Sequence, residues 1–127
     1  MSRKNERLIE KSIKHWTRMR DDPWGIEEPT PKECPLCMAY ARTRQKYDYH
    51  TEYCYGCPIV AVAGKDSCDA TPYSKAAGAF WAWLDIRPLG KDTEIAVARR
   101  KWRRAAKSEI LFLQKVLKAE QAKRRTR

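Results

Sequence analysis

Two pairs of cysteines, each pair with two residues between its members, constrain this chain more than any other feature of its 127 residues. The first pair is Cys34 and Cys37, and the second pair, Cys54 and Cys57, follows after the sixteen residues 38–53. Two such turns at this separation match the spacing of sites in which four thiolates hold one tetrahedral zinc ion. The sequence therefore predicts zinc as a cofactor in a metal-binding module over residues 32–70, with a full ligand shell and a structural role.

Two further residues leave the ligand set open. Cys68 either is a small buried side chain or replaces one of the four thiolates, and His50, four residues before Cys54, also has the right chemistry to replace one. A mixed shell with a water position would allow catalysis at the metal. An iron–sulfur cluster, or a redox role for either cysteine pair, remains the alternative to zinc.

The cysteine count and the hydropathy indicate a compartment. Five cysteines is an odd number, the chain opens on a charged segment rather than an apolar leader, and no apolar run approaches the roughly 20 residues of a membrane span. Thiols that persist as metal ligands fit a reducing environment. We expect one domain in the cytoplasm and no membrane partner.

The positive charge is concentrated at the two ends of the chain. The formal net charge is +11, and it divides into +5 over residues 1–20, −3 over residues 21–90 and +9 over residues 91–127. Such a distribution favours acidic partners, of which nucleic acid is the commonest, although solvated basic helices give the same composition.

Hydrophobic periodicity predicts three helices. An amphipathic helix is expected over residues 5–20, a helix apolar on nearly all sides over residues 72–87, and a long basic helix over residues 91–123 with Asp92 as its N-cap; residues 124–127 form a frayed tail. The fold class is thus mainly α, with the second helix buried at the centre, around a small zinc-knuckle module with little β structure.

The long helix carries more apolar surface than two shorter helices can cover if all three lie side by side. Its C-terminal apolar residues are therefore expected to meet a segment that folds back, the zinc module, a second copy of the chain or a different protein. Glu109 falls within the apolar arc, so we expect it to have a cationic partner. The residues that need covering are Ile110, Phe112, Leu113, Val116 and Leu117.

The opposite side of the long helix suggests two functions. In the first, a stripe of cations contacts the phosphates of DNA or RNA, and tyrosines among the cations of residues 38–53 stack on bases. The alternative for these tyrosines is that they pack within a zinc loop that has little core of its own. In the second, an inhibitor or adaptor binds an acidic host protein, or self-associates, through exposed apolar side chains of the same helix. The predicted nucleic-acid-binding residues are Arg100, Arg103, Arg104 and Lys107, and the predicted partner interface is Leu111, Phe112 and Val116.

Enzymatic motifs are not found. The sequence contains no Walker loop, no nucleophile elbow and no HExxH, and with two histidines it offers no visible site for general acid–base catalysis. We expect a non-enzymatic protein.

One resemblance bears on the setting of the chain. The order of Cys34-Pro-Leu-Cys37, Cys54-Tyr-Gly-Cys57-Pro58 and a last cysteine shortly before Thr71-Pro72-Tyr73, with Trp16 in a leading helix, resembles a family of small cysteine-rich proteins of bacteriophages and prophages. The resemblance covers about residues 8–73. It implies a recurrent cysteine set that includes Cys68, a host-cell cytoplasmic location, and a role in host takeover or anti-defence; it says nothing of the long basic helix.

Overall fold

A computed structural model describes residues 3–26, 28, 29, 58 and 72–125, and three helices account for most of them. Helix α1 spans Lys4–Asp21, α2 spans Pro72–Ile86 and α3 spans Asp92–Arg125, and the described residues contain no strand. The prediction of a mainly α fold with three helices is confirmed. The predicted zinc module of residues 32–70 lies, apart from Pro58, outside the described residues.

Helix α1 ends at Asp21, one residue after the predicted end. Asp22 has an extended backbone, φ −75° and ψ 115°, because the following Pro23 disfavours helical geometry at the residue before it. The Asp22 carboxylate then accepts the backbone N–H of Trp24 at 2.9 Å and of Ile26 at 2.6 Å. Gly25 turns the chain with φ 68°, which only glycine adopts readily.

Helix α3 begins one residue away from the predicted cap. The first helical bond runs from the N–H of Ile95 to the carbonyl of Lys91 at 2.9 Å, so Lys91 and not Asp92 is the N-cap. The Glu94 carboxylate accepts the Lys91 N–H at 2.9 Å, which is the glutamate half of a capping box. The prediction for Asp92 was wrong because the side chain of Glu94, three residues after the cap, completes the turn from Lys91.

The two shorter helices both pack on α3, staggered along its length. Helix α1 is antiparallel to α3, since Glu6 meets Arg124 and Asp21 meets Arg103. Helix α2 lies beside the other end of α3, with the turn of residues 87–91 between them. At 1.5 Å per residue α1 and α2 are about 27 and 22 Å long, which together match the roughly 51 Å of α3.

This stagger covers the apolar face of α3 from within the chain. The C-terminal residues of this face, for which the sequence predicts a covering partner, are buried or half-buried. They lie in the same core as Ile9 and Met19 of α1. The sequence predicts that a folded-back segment, the zinc module, a second copy or a different protein covers these residues. In the structure α1 covers them instead. The prediction assumes that all three helices lie side by side, whereas α1 and α2 are offset along the length of α3.

A cluster of aromatic rings lies where the three helices meet. Trp102 of α3 is fully buried, with its ring centroid 5.0 Å from Phe80 of α2 and 6.0 Å from Trp16 of α1. Trp16 also meets Tyr73 of α2 edge-on at 5.8 Å. Edge-to-face pairs of this kind contribute about 0.5 to 1.5 kcal/mol each beyond the burial of area. Trp102 therefore joins all three helices.

The centre of the described fold is α3 and not α2. Helix α2 buries Ala76, Phe80 and Trp83, while Trp81 on its other side is 39% exposed. The prediction of a buried second helix at the centre was wrong, because its alanine-rich composition makes several sides apolar without making them buried.

The C-terminal tail is shorter than predicted. Helix α3 continues through Arg125, and Arg124 forms an ion pair with Glu6 at 2.7 Å. The prediction of a frayed tail over residues 124–127 was thus wrong for Arg124 and Arg125, since a local charge count does not show that α1 places a carboxylate beside this turn. None of the described helices is long and apolar enough to cross a membrane.

Candidate nucleic-acid interface

The four cations predicted to contact phosphates line one open groove. Their spacing along α3 puts them on one side of the helix, and the end of α1 beside them adds a fifth cation. The groove has a volume of about 400 Å³. We call it the arginine groove; its lining residues are Arg20, Arg100, Arg103, Arg104 and Lys107.

One carboxylate lies at the edge of this groove. Asp21 accepts hydrogen bonds from Arg20, from Nε to Oδ1 at 3.0 Å and from Nη2 to Oδ2 at 3.2 Å. Its Oδ1 also lies 3.7 Å from Nη2 of Arg103. Asp21 therefore links the end of α1 to the arginine stripe of α3, and it offsets one of the five positive charges.

The interaction between Arg20 and Asp21 shifts the pKa of both groups. The hydrogen bond from Arg20, followed by the positive charges of Arg20, Arg103 and Arg99, holds the pKa of Asp21 below its usual value. The same hydrogen bond raises the pKa of Arg20. Both groups are thus fully ionised at neutral pH, and the groove keeps an excess of positive charge.

Sequence reasoning missed Arg20. The other cations of α1 fall on its outer arc, but Arg20 follows the buried Met19 near the end of the helix. Its place in the groove depends on the antiparallel packing of α1 on α3. The sequence does show basic residues in the last turn of α1, but it does not show which helix they face.

The three residues of the predicted partner interface differ in their exposure to solvent. Leu111 is 55% exposed, and Phe112 is half-buried against the core. Val116 is fully buried in that core, so its prediction as an exposed contact was wrong. Val116 points toward the packed side of α3, and an interface on this helix has only Leu111 as a strongly exposed apolar residue among the three.

The metal ligands predicted from the sequence are not in the described part of the chain. This holds for the four predicted thiolates and for His50 and Cys68. Among the residues that are described, no group of three or more His, Cys, Asp or Glu side chains could hold an ion. Zinc binding stays a prediction. The four thiolates are Cys34, Cys37, Cys54 and Cys57.

Several polar side chains lie in the core away from the groove. Glu109 is 2% exposed, Ser12 is 1% exposed and His15 is 4% exposed. The burial of Glu109 agrees with its place in the apolar arc, and the cationic partner expected for it stays a prediction.

Comparisons of the chain with protein families, with curated proteins and with solved structures gave no match.

Proposed function

We propose that this chain is a non-enzymatic, zinc-stabilised accessory protein of the bacteriophage type that binds nucleic acid through its basic helix surfaces. The observation that carries the proposal is the arginine groove, in which two helices bring five cations to one open surface. The phage setting and the host-cell cytoplasm come from the resemblance of the cysteine pattern. The zinc ion would fix the segment that connects α1 to α2.

The chemistry of the groove suits phosphate. Arginine presents a planar fork of N–H donors that matches two phosphate oxygens, and it remains charged at any physiological pH. Arg100, Arg104 and Lys107 are exposed, and Arg103 is 51% exposed in its side chain. Their side chains can therefore bind an anion without unpacking the core.

A titration by fluorescence anisotropy at two salt concentrations tests this function. We expect wild-type protein to bind a labelled oligonucleotide at low salt, with an affinity that falls steeply as salt rises because phosphate binding releases counterions. Replacement of Arg100, Arg104 and Lys107 by Gln should reduce both the affinity and the salt dependence.

A matched control removes the same charge elsewhere. Arg7, Lys11 and Lys14 lie exposed on the outer side of α1, so their triple replacement by Gln gives the same net charge as the groove variant. If both triple variants lose affinity equally, or if wild-type protein does not bind at low salt, the groove is not the binding site.

A protein-binding inhibitor or adaptor is the second candidate, and the exposure of Leu111 favours it. An apolar side chain that is 55% exposed amid cations suits an acidic protein with an apolar contact, or a second copy of the chain. Pull-down from host lysate with and without nuclease separates the candidates, because partners bridged by nucleic acid disappear after digestion. Light scattering tests self-association.

A further inference from the structure

The exposed side of α3 carries cations well beyond the arginine groove. The cations are separated by 3, 4, 7 or 8 residues, so they follow one side of the helix, and all are exposed. We call this row the outer stripe; its members are Arg100, Arg104, Lys107, Lys115, Lys118 and Arg125.

No carboxylate of α3 interrupts the outer stripe, and a carboxylate of α1, Asp21, lies at its edge next to Arg103. After the first turn, the acidic residues of α3 are Glu109, which is buried, and Glu120, which accepts a hydrogen bond from Asn5 and pairs with Lys123. Both belong to the packed side of the helix. The exposed side of α3 therefore presents side chains of a single sign of charge from Arg100 to Arg125, about 38 Å at 1.5 Å per residue.

The stripe also lies on one uninterrupted helix. Residues 92–125 contain neither proline nor glycine and form one unbroken helix, held on its packed side by α1 and α2. The row of charges is about 38 Å long, and one turn of a DNA duplex rises a similar distance, about 34 to 36 Å. An α-helix is about 10 to 12 Å wide, and the major groove of B-form DNA, about 12 Å wide, admits it.

Other nucleic acids fit this surface less well. Proteins bind unpaired bases by stacking them on aromatic rings, and the strongly exposed aromatic residues among those described, Trp24 and Trp81, belong to the α1–α2 segment and to α2. The major groove of an RNA duplex is too narrow and deep for a helix.

The exposed residues between the cations offer few groups that read base sequence. They are Ser108, Leu111, Gln114 and Ala122, which make no dense set of base-reading groups.

We propose that the outer stripe binds the phosphate backbone of duplex DNA along about one helical turn, without strong preference for base sequence. This inference rests on the proposed nucleic-acid function and specifies its ligand. The cations contact the phosphates that border the major groove, and these contacts position the helix without reading the base sequence.

Anisotropy titrations with three probes of equal length and sequence test the choice of ligand. The probes are a DNA duplex, an RNA duplex and single-stranded DNA, each of 18 base pairs or nucleotides, at 0.1 M salt. We expect the DNA duplex to bind at least about tenfold more tightly than the other two probes. Equal or tighter binding of single-stranded DNA or duplex RNA would overturn the inference and leave the nucleic-acid function standing, whereas no binding of any probe would refute both.

The length of the duplex tests the span of the stripe. Affinity should rise as the duplex lengthens from 6 to about 11 base pairs, because each added base pair gives about 3.4 Å more of phosphate backbone, and should then level off apart from the statistical gain in sites. An affinity that is already complete at 6 base pairs would overturn the inference, since the groove alone would then account for binding.

Two lysines far from the groove test the stripe directly. Lys115→Gln with Lys118→Gln should lower the slope of log K against log salt by about 2 and weaken duplex binding at 0.1 M salt by at least about tenfold. Lys11→Gln with Lys14→Gln on the outer side of α1 is the matched control. Equal effects of the two double variants, or no effect of the first, would overturn the inference; circular dichroism verifies that both remain folded.

Discussion

Arg124 donates two hydrogen bonds to Glu6, from Nε to Oε2 at 2.7 Å and from Nη2 to Oε1 at 3.3 Å, across 118 positions of sequence. The pair joins the last turn of α3 to the first turn of α1. Glu6 is 7% exposed, so its carboxylate has lost most of its hydration and depends on this guanidinium. The bond from Asn5 to Glu120 at 3.1 Å reinforces the same end of the helix pair.

Arg124→Ala should destabilise the protein because it leaves the Glu6 carboxylate buried without this guanidinium. Arg124 is itself about one-third exposed, so we expect a loss of about 1 to 3 kcal/mol in the free energy of unfolding, less than for a fully buried pair. Urea denaturation followed by circular dichroism measures it. Arg125→Ala, at an exposed position, is the control and should change stability by less than about 0.5 kcal/mol. Equal effects of the two variants would contradict the role of the pair.

Trp102→Ala should be among the most damaging single substitutions in the helical core. The side chain is fully buried and contacts rings of both other helices, so its loss leaves a large cavity, with an expected cost of about 3 to 5 kcal/mol. Trp81→Ala is the matched control, because Trp81 is 39% exposed and should cost much less. Denaturant midpoints of the two variants decide the matter; a similar midpoint for both would contradict the central place of Trp102.

The sequence predicts the helices of this fold well and their arrangement poorly. The 3.6-residue periodicity of α1 and α3, Pro23 after α1 and Pro72 at the start of α2 place the helix boundaries within about two residues of those observed. Periodicity is a local property. It does not encode that α1 and α2 are offset along α3, and this offset decides that Val116 is buried and that Arg124 is paired.

The candidate site shows the same division between local and long-range information. Arg100, Arg103, Arg104 and Lys107 come from one helix, so their spacing alone predicts that they share a surface. Arg20 comes from another helix, and its presence in the groove requires the packing of α1 on α3. A composition-based argument also cannot separate an apolar side chain that is buried from one that is exposed, as α2 shows with Trp83 and Trp81.

Removal of zinc should affect the cysteine segment more than the helical core. Metal analysis should find one zinc ion per chain, and Cys37→Ser or Cys54→Ser should lower that content because each removes a predicted ligand. Since α1, α2 and α3 share a core built from their own residues, we expect a chelator to lower thermal stability while much of the helical circular-dichroism signal remains. Cys68→Ser tests the open ligand assignment. A protein that contains no metal and does not respond to the chelator would contradict the site.

The titration of Asp21 should depend chiefly on Arg20. Because the folded-state pKa of Asp21 is lowered, its contribution to stability is present above the unfolded-state pKa and is lost as the pH falls through the folded-state value. The side chain is 52% exposed, so this contribution is at most about 1 kcal/mol. Carboxyl-carbon NMR should show the pKa of Asp21 rising toward its usual value in Arg20→Gln, and rising less in Arg103→Gln. The reverse order would contradict the assignment of the Arg20 hydrogen bond as the main cause.

The same carboxylate should weaken nucleic-acid binding in the wild-type protein. Asp21 holds Arg20 and lies beside Arg103, so a phosphate in the arginine groove must compete with it for both guanidinium groups. Asp21→Asn removes this competition, and we expect tighter binding at low salt with a slope of log K against log salt steeper by about 1. Asp85→Asn, an exposed carboxylate on α2, makes the same change in net charge and should have a smaller effect. Weaker binding by Asp21→Asn would instead mean that Asp21 positions Arg20 for the ligand, because then the loss of an ordered guanidinium outweighs the gain in charge.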